Sequence, residues 1–133
     1  DMGVEPYLIG TVLLGGVAQR LCRRICSQCR EAVPVPHGLA PLLAEEGLAV
    51  TEVFHGRGCT TCHGTGYRGR LGLYEILEVG GEVRELISSR ARDEEIREAA
   101  RAHGFRTLLQ DGLRKVANGA VTYDEVQRVC MSI

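Results

Sequence analysis

The sequence predicts an α+β fold, with a small cysteine-rich segment of turns and short strands followed by a cluster of short helices. Two observations predict the first part, namely two cysteine pairs and the glycines that surround the second pair. A third predicts the helices, because beyond Gly80 apolar residues recur at intervals of three and four, with helix-start signals between them. The chain has 133 residues, enough for one ordinary domain or two very small ones.

Four of the six cysteines form two Cys-x-x-Cys pairs, Cys26 with Cys29 and Cys59 with Cys62. Each pair can place two thiolates on one side of a tight turn, and two such turns facing each other make a tetrahedral cage of sulfurs. This arrangement is typical of structural Zn²⁺, which binds thiolate strongly and needs no open coordination position. We therefore predict these four cysteines as the metal ligands, although the insert between the pairs, residues 30–58, exceeds the usual zinc-ribbon gap.

Other interpretations of the cysteines stay open. Disulfides fit less well, because no secretory signal is recognisable and reduced, metal-binding cysteines suit the cytoplasm. Residues 59–63 also match Cys-x-x-Cys-His, the c-type haem attachment signature with His63 as an axial ligand, but haem leaves the first pair unexplained. Residues 59–66 match one zinc repeat of bacterial Hsp40 chaperones, whose glycines the first pair lacks. We expect Cys22 and Cys130 to be small buried hydrophobic residues rather than ligands.

The first half of the chain predicts a helix, a second short helix and two strands. Apolar residues at helical spacing predict a helix over residues 4–25, which Gly15-Gly16 weakens. Residues 39–46 read as a short helix and residues 49–54 as a short strand. Residues 71–79 alternate as a strand does, with Leu71 and Leu73 on one face and Tyr74 and Ile76 on the other.

Residues 81–130 predict four short helices in sequence. Val83, Leu86 and Ile87 form one apolar stripe, and Ile96, Ala99 and Ala100 form another. Asp93 is expected to cap the second of these helices. Thr122 with Glu125 matches the capping box, in which each side chain bonds the backbone of the other residue.

The charge balance excludes some classes of protein. Sixteen basic and 17 acidic side chains give a net charge of −1, which argues against a dedicated nucleic-acid binder. The only lysine, Lys115, lies between Arg114 and Val116, so these residues contain no phosphate-binding P-loop. No catalytic triad stands out, and we predict no catalytic or cofactor-binding residue apart from the metal ligands.

Seven arginines surround the cysteine pairs: Arg20, Arg23, Arg24, Arg30, Arg57, Arg68 and Arg70. A zinc ion with four thiolates carries about two negative charges, so one interpretation is that the arginines offset this charge and face solvent. The alternative is a basic patch for an acidic partner.

Taken in order, several segments resemble the C-terminal part of the type II secretion and type IV pilus assembly ATPases. They are residues 18–21 before the first pair, 66–75 after the second pair, and 106–108, 110–113, 115–116 and 122–129 in the helical part. The resemblance covers nearly the whole chain, and its motifs are specific because the cysteine cage and the Gln-Asp-Gly-Leu segment occur together in the family's order.

The resemblance implies a hexameric, Mg-ATP-driven motor, peripheral at the cytoplasmic face of the inner membrane, whose hydrolysis powers assembly of a pilus or pseudopilus. Its partners would be the other protomers and the inner-membrane platform proteins. The Walker A, Walker B and histidine-box segments would precede Asp1, so this chain would have no activity of its own. Residues 1–20 would end the RecA-like motor domain, 21–79 would form the tetracysteine zinc-binding subdomain and 80–133 a helical subdomain. The alternative is an independent zinc-ribbon protein-interaction module.

Overall fold

The computed structural model describes residues 3, 5–6 and 15–131. In this part of the chain the fold is α+β, as predicted, with two small sheets and five helices. The strands are β1 (Gly15–Ile25), β2 (Arg30–Pro34), β3 (Glu52–Gly56) and β4 (Tyr67–Glu78). The helices are α1 (Ala40–Glu45), α2 (Gly81–Ser88), α3 (Asp93–Ala102), α4 (Leu108–Ala117) and α5 (Tyr123–Cys130).

The chain divides into two compact units that interleave along the sequence. One unit comprises Asp1–Ala18 with Glu75–Thr107, and the other comprises Gln19–Tyr74 with Leu108–Ile133. These units do not follow the order of the predicted segments, because α4 and α5 belong to the unit that holds the cysteines. The division into the end of a motor domain over residues 1–20, a zinc-binding subdomain over 21–79 and a helical subdomain over 80–133 stays a prediction.

The cysteine-containing unit has the larger core. β2 and β3 pair antiparallel, with Arg30 opposite Gly56 and Pro34 opposite Glu52. The buried side chains come from strands, helices and connecting segments: Cys22, Leu39, Leu43, Val53, Leu73, Leu108, Leu113, Val116, Val121, Val126 and Val129. Burying a side chain of this size contributes roughly 1.5–3 kcal/mol each before the entropy of ordering is counted, so this core supplies most of the unit's stability.

The other unit has a smaller core between α2 and α3. Val83, Ala99 and Ala100 are buried there, and Leu77, Leu86, Ile87, Ile96 and Phe105 pack against them. Both apolar stripes predicted for these helices are confirmed. No helix of the described part of the chain combines the length and the apolar character needed to cross a membrane.

The predicted helix over residues 4–25 is wrong for its second half. Residues 15–25 form β1, which pairs with β4, while residues 7–14 lie outside the described part of the chain. The apolar residues that suggested helical spacing include Val17 and Leu21, and both are exposed on the strand at 69% and 52%. The strand predicted over 49–54 is β3, shifted to Glu52–Gly56 by its pairing with β2. The strand predicted over 71–79 begins earlier, at Tyr67.

Two helix starts differ from the prediction in detail. Asp93 is the first residue of α3 rather than its cap, and the cap position is held by Arg92 without a side-chain hydrogen bond. Thr122 caps α5 as predicted, since its hydroxyl accepts a hydrogen bond from the Glu125 N–H at 3.2 Å. The second half of the capping box is wrong, because the Glu125 carboxylate accepts from Arg23 and Arg128 instead.

Candidate metal centre

The four paired cysteines meet in one cluster. The sulfur atoms of Cys26, Cys29, Cys59 and Cys62 all lie within 4.8 Å of one another and could hold a metal ion. The Sγ–Sγ distance is 3.8 Å between Cys26 and Cys59, 3.8 Å between Cys29 and Cys62, and 3.7 Å between Cys59 and Cys62. A tetrahedral Zn–S₄ site with bonds of about 2.3 Å requires sulfurs about 3.8 Å apart. The spacing therefore matches such a site, and the four thiols are free rather than disulfide-bonded.

The hairpin of β2 and β3 brings the two pairs together. The first pair lies in the turn between β1 and β2, and the second lies in the loop between β3 and β4. At the open end of the hairpin the Arg57 N–H donates to the Cys29 carbonyl at 3.1 Å, which carries the strand pairing up to the cluster. The Cys26 N–H donates to the Gly66 carbonyl at 2.9 Å and fixes the other side.

Two glycines make this closure possible. A Cβ atom on Gly56 would lie closer than 3.0 Å to the backbone of Gly66, and a Cβ on Gly66 would lie equally close to Gly56. Gly66 also has a φ of +81°, which disfavours any residue with a side chain. The glycines that predicted sharp turns around the second pair therefore allow two backbone segments to touch beside the sulfurs.

Backbone N–H groups donate to two of the sulfurs. Gly58 donates to the Cys29 sulfur at 3.2 Å, while Cys59 and Gly66 donate to the Cys62 sulfur at 3.3 and 3.2 Å. Donors of this kind orient thiolates and disperse their negative charge. The backbone amides that these turns leave without other partners thus donate to the sulfurs.

These donors give the thiols different proton affinities. Burial raises the pKa of Cys29 to about 11, against the opposing effect of the Gly58 N–H. Burial also acts on Cys62, but the N–H groups of Cys59 and Gly66 outweigh it and lower the pKa of Cys62 to about 6. The pKa of Cys59 is lowered as well, mainly by the N–H of Cys62. Cys59 and Cys62 therefore supply thiolate more readily than Cys29 does.

The remaining sulfur and histidine candidates lie outside the cluster. Cys22 is 1% exposed in the main core, and its thiol lies 3.6 Å from the Leu71 carbonyl oxygen. Cys130 is half-buried beside the same core. His63 follows the second pair but is exposed, with a φ of 56°, and it is not one of the clustered groups. Cys26 and Cys29 stand in the cluster beside the pair that resembles a haem signature, and haem attachment would not use them.

The seven arginines near the cysteines are all exposed, but two of them are anchored. Arg23 lies over the Tyr67 ring at 4.2 Å and bonds Glu125. Arg30 lies over the Phe54 ring at 4.4 Å, and its Nη1 donates to the Gly119 carbonyl at 3.1 Å. The expectation that all seven simply face solvent is therefore too simple.

Sequence reasoning missed the role of Glu125, which is 1% exposed. Its carboxylate accepts from the Arg23 backbone and guanidinium at 2.7–3.0 Å and from two guanidinium nitrogens of Arg128 at 2.8 Å. The hydrogen bonds from Arg128 have the largest effect on the carboxylate, followed by those from Arg23. Against the effect of burial, they lower the pKa of Glu125 to about 2. The spacing of Glu125 and Arg128 on one helix was the signal in the sequence that could have revealed this pair.

Comparison with known proteins gives a consistent result. Residues 1–128 match the family described as Type II/IV secretion system protein. The chain is 42% identical over 128 residues to the "Type IV pilus assembly ATPase PilB" of Thermus thermophilus, a match that covers 95% of this chain and 14% of the relative. It is 45% identical over 132 residues to the "Type II secretion system protein E" of Pectobacterium carotovorum, covering 97% of this chain and 25% of the relative.

A third relative comes from Escherichia coli. The chain is 40% identical over 129 residues to its "Putative type II secretion system protein E", covering 97% of this chain and 26% of the relative. The chain thus spans about a quarter or less of the length of these curated relatives. Because the family match extends over nearly all residues, the chain belongs to the family of type II/IV secretion system proteins.

Proposed function

We propose that Cys26, Cys29, Cys59 and Cys62 bind one structural Zn²⁺. The observation that carries this proposal is the sulfur cluster: three of its six Sγ–Sγ distances are 3.7–3.8 Å, the value of a tetrahedral four-thiolate site, and all four sulfurs lie within 4.8 Å of one another. A ligand set made only of thiolates suits a soft or borderline metal and leaves no position for a substrate. Zinc in such a site would stabilise the turns at the open end of the β2–β3 hairpin.

We further propose that the chain is the zinc-binding portion of an ATPase that powers type II protein secretion or type IV pilus assembly. The names of the similar proteins support this class of parent. The parent would act as a hexamer at the cytoplasmic face of the inner membrane, driven by Mg-ATP and in contact with the platform proteins of the machine.

The chain itself would be non-catalytic. Lys115, its only lysine, donates to the Asp111 carboxylate and to the Gly72 carbonyl, each at 2.7 Å. It also lies 5.1 Å from the centre of the Tyr74 ring. The lysine is therefore engaged in holding α4 against β4, which supports a structural rather than a phosphate-binding role.

The zinc cage would act by holding a surface that couples the motor to its membrane platform. Arg68 and Arg70 on β4 are exposed and form no ion pair within the described part of the chain, so they are available to an acidic partner. The alternative is that these arginines compensate the negative charge of the thiolate cluster. In that case they would be required for metal retention.

The test separates metal binding from transport. Elemental analysis of the purified chain should give one zinc per chain, and a full-length protein carrying Cys59→Ser should lose the metal together with secretion or piliation. Arg68→Glu with Arg70→Glu should keep the zinc and the ATPase rate but impair transport. Unchanged transport in a zinc-loaded double variant would remove this surface, and the absence of zinc from the native chain would refute the metal assignment.

A further inference from the structure

A half-open cleft of about 570 Å³ lies beside the first cysteine turn, within the cysteine-containing unit. It is lined mainly by Arg24, Ser27, Arg30, Asn118, Gly119 and Ala120. These residues come from the end of β1, the turn after it, the start of β2 and the loop between α4 and α5. The lining contains two guanidinium groups and, among the described residues, no Asp or Glu.

One of the two arginines is held in place before any ligand arrives. The Arg30 guanidinium stacks on Phe54 at 4.4 Å and uses Nη1 to bond the Gly119 carbonyl. A Cβ atom on Gly119 would lie 2.8 Å from that Nη1 and 2.9 Å from the Phe54 ring, so only glycine leaves room for the side chain. The side chain of Arg30 is therefore already ordered in the folded chain, so binding a ligand costs little further conformational entropy. Its other N–H groups remain to bind that ligand.

The second arginine is exposed and has no internal role in the described part of the chain. The Arg24 side chain makes no ion pair or hydrogen bond there, in contrast to the Arg23 side chain, which bonds Glu125. Two positive charges thus face one cleft, and no carboxylate of the described residues neutralises them. Such an arrangement attracts an anion.

The remaining groups favour a carboxylate over a phosphate. The cleft lies beyond the C-terminal end of α4, where the helix dipole disfavours anions, and a doubly charged phosphate more than a singly charged carboxylate. The N–H groups of Gly119 and Ala120 are already bonded to the Val116 carbonyl and to the Asn118 side chain, so they cannot cradle phosphate oxygens. Guanidinium forks bond carboxylates and phosphates alike, so the preference for a carboxylate rests on the helix dipole and on these occupied N–H groups.

We propose that this cleft binds a carboxylate side chain of an acidic partner protein. Arg24 and Arg30 would bond the carboxylate, with the Ser27 hydroxyl and the Asn118 amide at the rim. The proposal rests on the proposed function, because it supplies the secretion or pilus machine as the source of the partner, and it locates one contact point of the coupling surface.

The test is a titration of the zinc-loaded chain followed by the backbone amide signals in NMR. A short polyglutamate peptide should shift the amides of Ser27, Asn118, Gly119 and Ala120, and a polyglutamine peptide should not. Arg24→Glu should weaken polyglutamate binding roughly tenfold at low ionic strength, with Arg24→Gln intermediate. Arg97→Glu is the matched control, since Arg97 is an equally exposed arginine in the other unit, and it should leave binding unchanged.

Several outcomes would overturn the proposal. Inorganic phosphate saturating the same amides while polyglutamate does not would show that the ligand is a phosphate. If Arg97→Glu weakened polyglutamate binding as much as Arg24→Glu, the effect would be one of net charge only. If both Arg24 variants lost zinc, Arg24 would instead be needed to stabilise the cysteine cluster. An unresponsive cleft in a fully zinc-loaded chain would refute this inference alone, whereas failure of the proposed function would already show in the metal content.

Discussion

Removal of the buried carboxylate of Glu125 tests whether the contact between α5 and β1 is electrostatic in origin. In the folded chain the pKa of Glu125 falls from an ordinary 4.5 to about 2. A difference of this size corresponds to about 3 kcal/mol of stability, at about 1.36 kcal/mol for each pKa unit. The side chains of Arg23 and Arg128 are 51% and 57% exposed, so water would recover part of this energy once the carboxylate is gone. We expect Glu125→Gln to destabilise the chain by about 2 kcal/mol.

The assay is urea unfolding of the zinc-loaded chain at pH 7, with zinc content measured for each variant. Glu98→Gln is the matched control, because Glu98 is exposed on α3, and it should change the free energy of unfolding by less than about 0.5 kcal/mol. A Glu125→Gln variant as stable as the native chain would show that burial of the carboxylate cancels its hydrogen bonds.

The pH dependence provides a second check on the same residue. Because the folded pKa is depressed, the contribution of Glu125 is fully present above about pH 4.5 and is lost as the pH falls toward about 2. The stability difference between the native chain and Glu125→Gln should therefore shrink over this range. Acid also protonates the thiolates and releases zinc, so the two chains are compared at equal measured zinc content at each pH. A difference independent of pH would contradict the assigned pKa.

Three further predictions concern the metal and the packing of the same unit. Cys26→Ser should lose zinc on dialysis and leave the cysteine region poorly folded, because zinc-binding energies of roughly 10–16 kcal/mol become folding energy in small domains, whereas Cys22→Ala should keep the metal on elemental analysis. Thr122→Ala should cost roughly 0.5–2 kcal/mol in urea unfolding, since its hydroxyl caps α5 and bonds Tyr67 at 2.9 Å; no loss would show that the cap is replaced by water. Gly112→Ala should lower the midpoint of urea unfolding despite alanine's better helix propensity, because its Cβ would lie 2.5 Å from a Val126 methyl group. A raised midpoint would show that Val126 moves aside at little cost.

The sequence predicted local features well and non-local pairing poorly. The cysteine spacing and the apolar stripes of α2 and α3 are encoded over a few residues, and both are present in the structure. β1 could not be predicted in this way, because its partner β4 begins more than 40 residues after β1 ends. Its apolar residues at positions 17 and 21 are exposed on the strand, so their spacing carried no information about burial.

The site shows the same division. The four sulfurs were predicted from their own spacing, but the groups around them depend on contacts across the fold. Glu125 matched a capping box, yet its carboxylate bonds Arg23, which lies 102 residues away in the chain. The cleft at Arg30 likewise requires Phe54 and Gly119, and neither residue has a local signal that relates it to an arginine so distant in sequence. Local rules predicted which sulfurs cluster, while topology decides what surrounds them.

The pairing of β2 with β3 makes the geometry of the candidate metal site independent of how many residues connect the two strands. Strand pairing from Arg30↔Gly56 to Pro34↔Glu52 closes the loop before the chain reaches α1, so residues 35–51 do not set the sulfur positions. Closing a longer loop costs little, about 0.6 kcal/mol for each doubling of its length. The exposed turn at Gly47 could therefore accept inserted residues with the cage intact. This region is a natural position for a fluorescent or affinity tag that leaves the cysteine cluster undisturbed.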